Sequence, residues 1–312
     1  MLFPVEDALE GAAFFLLIGA IFGATAAVLA GFLFVAIPSW GALVRIRANY
    51  LPKGVALDEA GKVGPAVYSV PDMKRRVEQL EGRSSLWRGT SLMLYFIAVL
   101  ALAYFVVLTA IMIPFKIVSG ADHGTLAFFS AMVLIVVTVP LSAPMEVLLR
   151  RTIVHPHGLD WRHPRACLRE LMTDDELNNP WRLYMIPDVL PTMGLMALYG
   201  LILAASVFPL PSLFLDSNVL FFPTAAFAAI LIILSCLLTP LDCALVRLMV
   251  QRPLPAAEPP TAESPEPVIE LRPHAESTPA YTGIADCLRK MVAEEGVESI
   301  WRGSFVHAHV LQ

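Results

Sequence analysis

The sequence predicts an all-α membrane protein with five transmembrane helices, joined by loops that carry short amphipathic helices. Three observations point there. The 312 residues are 57% apolar and only 16% charged, with a mean hydropathy of +0.67, whereas a soluble domain carries about one charged residue in four. No Asp, Glu, Lys or Arg occurs in 11–44, 89–115, 123–145, 189–215 or 217–241. A bilayer core needs about 20 apolar residues of helix, so each interval can hold one span. The cations are also one-sided: 21 of the 22 Lys and Arg fall in 45–88, 150–182 and 247–302, with Lys116 outside. The intervening segments carry Glu6, Asp7, Glu10, Asp122 and Asp216 instead. Cationic loops on one face are the positive-inside pattern, so the three basic loops are expected to share a compartment.

Taken in order, the acidic start MLFPVEDALEG lacks the basic residues of a signal peptide or an Arg-rich transit peptide. The first span holds Gly19 and Gly23, a small-xxx-small stripe suited to close packing within the bundle. Three spans end on their basic side in a related phrase: PSWGALVR from Pro38, PMEVLLRR from Pro144 and PLDCALVR from Pro240. Each proline is followed at +5 by Leu43, Leu149 or Leu245, and at +7 by Arg45, Arg151 or Arg247. The starts are 106 and 96 residues apart.

A second phrase lies in each basic loop. Trp161, Cys167, Leu168, Arg169, Trp181 and Arg182 are matched 120 positions later by Tyr281, Cys287, Leu288, Arg289, Trp301 and Arg302. EGRSSLWRG from Glu81 is nearly EGVESIWRG from Glu295. A doubled phrase at fixed places marks equivalent corners of a repeated module.

With its three proline phrases and loop phrases, the chain resembles the mitochondrial carrier family, whose repeats each pair a proline-ended odd helix with a loop helix and an Asp/Glu-Gly…aromatic-Lys/Arg-Gly corner. The likeness implies a three-repeat helical bundle: repeat 1 over 1–117, repeat 2 over 118–216 and repeat 3 over 217–312. It also implies a multi-pass transporter of a mitochondrial membrane, inner or outer, with neither cofactor nor metal. Its gate would be carried by Pro38, Leu43, Arg45, Pro144, Glu146, Leu149, Arg151, Pro240, Asp242, Leu245 and Arg247. Membrane lipid, cardiolipin above all, would bind at Trp87, Arg88 and Gly89, at Tyr281 and Gly283, and at Trp301, Arg302 and Gly303. A helix N-terminus suits a lipid phosphate; the alternative role of these glycines is a tight turn.

The chain also departs from the family. The family pairs an acid at +2 with a cation at +5 between repeats; here +2 is Trp40, Glu146 or Asp242 and every +5 residue is leucine. The ionic gate therefore reads as dismantled, with closure left to contact among the three leucines. Arg150, four residues after Glu146, is expected to pair within its own helix, and the +7 arginines to snorkel to headgroups. The even spans 89–115 and 189–215 carry no charge, so a charged substrate would go uncompensated and a neutral or apolar solute is expected. Leu183 stands where the other corners end in glycine. Only nine residues follow Gly303, about 14 Å of helix, so a sixth span is expected to be missing.

The stretch 253–279 holds eight prolines among Glu and Ala, which predicts a disordered spacer whose loss leaves stability unchanged. His155, His157, His163, His307 and His309 lack a completing Cys or acid for a metal. Four cysteines without metal-like spacing are expected to stay reduced. No nucleophile–base set, phosphate loop or dinucleotide fingerprint is present, so neither an enzyme nor a nucleic-acid partner is expected. Two functions remain open: transport, or a non-transporting carrier-derived scaffold that binds a partner transmembrane helix.

Overall fold

A computed structural model describes residues 31, 33–52, 67, 69–112, 114–115, 123–207, 221–251, 267–272 and 279–304. Its helices are α1 (33–48), α2 (Val70–Leu80), α3 (Thr90–Val106), α4 (His123–Val154), α5 (Pro164–Leu171), α6 (Asp174–Asn178), α7 (Val189–Val207), α8 (Phe221–Val250) and α9 (Ile284–Glu294). Short 3-10 turns over Arg83–Trp87, Pro180–Leu183 and Val297–Trp301 close the three loops. For description, α1–α3 form a first unit, α4–α7 a second, and α8–α9 a third.

The long helices are apolar on every side. The stretch Arg83–Val106, which includes α3, has a mean hydropathy of 2.0 and is long and apolar enough to cross a membrane; it is the one such helix among the described residues. Its Leu94, Tyr95, Leu102 and Phe105 are more than half exposed, an apolar surface that suits lipid rather than water. Most of the predicted first span, with Gly19 and Gly23, lies outside the described residues, as do 305–312 with His307 and His309.

The three loop helices follow a different rule. Each buries one pair at i, i+4: Met73 and Val77 in α2, Cys167 and Leu171 in α5, Cys287 and Met291 in α9. Residues four apart share a helix face, so each amphipathic helix lies flat on the bundle. The core they cover is built from the loop-side ends of α1, α4 and α8, with Ala42, Val44, Ile46, Val147, Ile153, Leu245, Leu248 and Met249 all buried. Helix α4 packs against α3, α7 and α8, and α8 also packs on α9.

Two expectations change here. Pro144 and Pro240 lie inside α4 and α8, and Pro38 lies inside α1, so the helices run on about ten residues past each proline. Proline removes one backbone donor but leaves the following turns free to pair, and those turns are buried in the core. The proline-rich insertion is also more than a spacer. Residues 252–266 and 273–278 lie outside the described residues, but 267–272 pack on the bundle, with Val268 and Ile269 only 6% and 8% exposed. Composition concealed this because PVIELR is a short apolar run inside a polar one.

Candidate functional site

Every α-helix ends with carbonyls that have no partner within the helix, and three such ends converge at the loop side. The arginines placed there are buried, which corrects their expected reach to headgroups: Arg45 is 2% exposed, Arg151 4% and Arg247 4%. Each instead turns inward to an acid of its own loop. Arg45 lies 3.6 Å from Glu81. Arg151 grips Glu176 at 2.7 and 2.9 Å. Arg247 grips Glu295 through both terminal nitrogens, one of them at 3.0 Å. The two forked pairs, at Glu176 and Glu295, fix their loops to the helices.

The same arginines and their loop partners cap neighbouring helices. Arg88 donates to the His155 carbonyl just past α4, at 2.7 Å. Arg151 donates to the Met249 carbonyl of α8 at 2.9 Å. Arg247 donates to the carbonyls of Arg47 and Asn49, at the end of α1, at 3.0 and 2.9 Å, and Arg302 joins it at Asn49 at 2.8 Å. The first unit thus caps the second, the second the third, and the third the first. Tyr281 completes the third corner beside Arg247; burial pushes its phenol up to about 12, so it stays neutral.

Within this ring lies an ionic network between units, where the +5 leucines led to the expectation of no such pairing. Asp242 of α8 accepts from Arg47 of α1 and, at 3.3 Å, from Arg150 of α4. Arg150 also pairs with Glu146 at 3.1 Å, the expected contact within its own helix. All four side chains are three-quarters or more buried. The cations stand at +9 and +6 from their prolines, not at +5. Helical geometry makes them equivalent: positions four and seven beyond +2 return to within about 40° and 20° of the +2 face. That spacing from Glu146 and Trp40 was the signal available in the sequence.

The leucines do something else. Leu149 packs beneath Gly89, where a Cβ would fall 2.8 Å from its Cδ1; Leu43 packs beneath Gly303, where a Cβ would collide with its Cδ1. Both glycines have positive φ, +83° and +72°, so turn geometry and close approach each require glycine there. Leu149 and Leu43 therefore wedge under the corners at Gly89 and Gly303. In the second unit the corner itself is filled, since Leu183 is 3% exposed.

The expected lipid seats differ from one another. Beside Gly89 a cavity of about 380 Å³ is lined by Ser84, Arg88, Ser91, Thr152 and Trp161. Gly89 gives α3 no side-chain cap, and the buried indole N–H of Trp161 has no hydrogen-bond partner among the described residues. Donors thus converge there from two units. At Gly283 the seat is taken: Asp188, itself at φ +60°, accepts from the Ile284 N–H at 2.9 Å, and a Cβ on Gly283 would fall 2.5 Å from its carboxylate. A carboxylate from the start of α7 thus caps α9. Among the described residues no group of His, Cys, Asp and Glu could hold a metal ion.

No curated protein matches the chain significantly. Residues 222–308 match the profile of the family described as Mitochondrial carrier protein. That segment contains PLDCALVR on α8, the α9 loop helix and the Glu295–Gly303 corner, the residues through which the third unit closes the ring. Over this segment, about a quarter of its length, the chain is similar to the mitochondrial carrier family.

Proposed function

We propose that the chain moves a small neutral or apolar solute across a mitochondrial membrane by alternating access, with its loop-side mouth closed by Asp242, Arg47, Arg150 and Glu146. The inter-unit network supports this most directly. It joins one side chain or more from each of α1, α4 and α8, so these three helices cannot separate on that side without breaking it. In this reading the units are three carrier repeats over 1–117, 118–216 and 217–312, and the five charge-free stretches are spans. The uncharged even helices set the substrate class, because a buried ion there would have no counter-charge. The scaffold reading rests on the +5 leucines, the uncharged even helices and the expected absence of a sixth span; the ionic network between units weighs against the first of these. The cavity beside Gly89 suits a lipid phosphate, cardiolipin included, with the α3 N-terminus, the hydroxyls and the Trp161 indole as donors.

The test is purified full-length protein in liposomes, assayed for uptake of neutral and charged solutes. Uptake of a neutral solute is expected, and Asp242→Asn should make the vesicles leak by several fold. Exchange of a charged metabolite would overturn the substrate class. No flux of any solute would return the chain to the scaffold class. Cysteines at Lys62, Arg162 and Glu263 should all label from one side of the membrane; a mixed result would sink the three-repeat topology.

A further inference from the structure

The stretch 267–272 belongs to the third unit's loop, yet it is bound to the first. Arg76 of α2 donates to the carbonyls of Val268 and Pro267 at 3.1 and 3.3 Å. The Tyr50 N–H donates to the Glu270 carbonyl at 2.8 Å, and the Glu270 N–H donates to Asn49 Oδ1 at 3.0 Å. Val268 and Ile269 are buried between these anchors. At the far end Arg272 forks onto Glu294 of α9 at 2.8 and 2.7 Å and lies 4.9 Å over the Tyr281 ring. Six residues thus run from the first unit's loop to the third unit's loop helix. They cross beside Asn49, whose carbonyl Arg247 and Arg302 already hold.

We propose that 267–272 is a strap that keeps the loop-side mouth shut between the first and third units, and that this mouth opens only when the strap leaves its seat. Separating α1 from α8 would break Arg47–Asp242 and would also pull Asn49 and Tyr50 off Glu270. The two sets of bonds must therefore yield together. The strap sets the opening equilibrium through contacts that only the closed state makes. It rests on the reading of the Asp242 network as a gate, but its test reads accessibility, so its failure is distinguishable from a failure of transport.

Cys243 is the reporter: it is wholly buried beside Asp242, with its Sγ 3.6 Å from the Arg302 carbonyl. In full-length protein carrying Cys167→Ala, Cys236→Ala and Cys287→Ala, Tyr50→Cys and Glu270→Cys are added and joined by mild oxidation. Maleimide labelling of Cys243 in liposomes is then read by peptide mass. Labelling at least tenfold slower in the oxidised than in the reduced state is expected. Without the crosslink pair, Val268→Asp with Ile269→Asp should speed labelling severalfold while the melting transition persists. If that variant does not fold, the crosslink decides alone. Equal rates in the two redox states, or a pair that fails to crosslink, would overturn the strap.

Discussion

The third corner and the second are built from matching sequence, yet they hold their arginines differently. At the third, Glu295 is wholly buried and receives both Arg247 and Arg302. At the second, the acid has moved one place along. Glu176 stands where Gly296 stands and takes Arg151 alone, while Asp175 pairs with Arg182 in solvent, 73% and 54% exposed. The cause is local. Gly296, at φ +108°, lets the chain turn directly after Glu295. The second loop instead opens α6 with a capping box, in which the Thr173 N–H donates to the Glu176 carboxylate at 2.9 Å. The comparison separates two roles that the sequence phrase merges. Anchoring the +7 arginine is kept at both corners, whereas capping the neighbouring helix through the second arginine is kept only where glycine permits the turn. Beside Arg182, which lacks that role here, Trp181 is 70% exposed.

The largest effect should come from breaking the acids. Removing one partner of a buried ion pair costs about 3–5 kcal/mol, because the other charge is left unpaired in the interior. Glu295→Ala strands two arginines and should sit at the upper end or abolish folding. Glu176→Ala strands one and should cost less. Asp175→Ala, at a solvent-exposed pair, should cost under about 1 kcal/mol. Melting temperatures in detergent should therefore fall in the order Asp175→Ala, Glu176→Ala, Glu295→Ala. An equal fall for the last two would show that the second arginine adds nothing at the third corner.

Exchanging the corner residue should give the next largest effect. Gly303→Ala imposes a side chain at positive φ and drives a Cβ into Leu43 Cδ1. Strain of this kind costs about 1–3 kcal/mol. Gly303→Ala with Leu43→Ala removes the collision and should recover part of the loss, but not the backbone share. Full recovery would place the whole requirement in packing; none would place it in the backbone.

Much of this was legible because periodicity and spacing survive in sequence. The amphipathic loop helices, the three proline phrases and the doubled corner all followed from position, and the segment that matches the family falls within 217–312. Partner choice was harder to read. Arg45, Arg151 and Arg247 sit at the edge of apolar runs, where a snorkelling arginine and a buried one look alike until the acid that receives it is placed in space. Arg47 escaped notice, and Arg150 was given only its pair within its own helix, because the cation between units was sought only at +5, although the helix offers the same face at +6 and +9. Residues 267–272 were averaged into the prolines around them. The Asp188 seat required bringing together residues about a hundred positions apart, which no local pattern encodes.

The smallest effect should appear only in acid. Burial alone would raise the Glu176 carboxyl, but the hydrogen bonds and charge of Arg151, with the Thr173 amide, hold it below its ordinary 4.5. A carboxylate depressed in the folded state adds stability that is fully present above its unfolded value and is lost as pH falls through its folded one. Between about pH 5 and pH 3 the parent chain should therefore lose melting temperature partly through this one group. Glu176→Gln cannot make that loss. It should start lower at pH 7 and fall less steeply, so that the two curves converge toward acid by a few degrees. Parallel curves for the parent and Glu176→Gln would mean that Arg151 does not hold the carboxylate in its charged form, and the second corner would then be anchored by packing rather than by the ion pair.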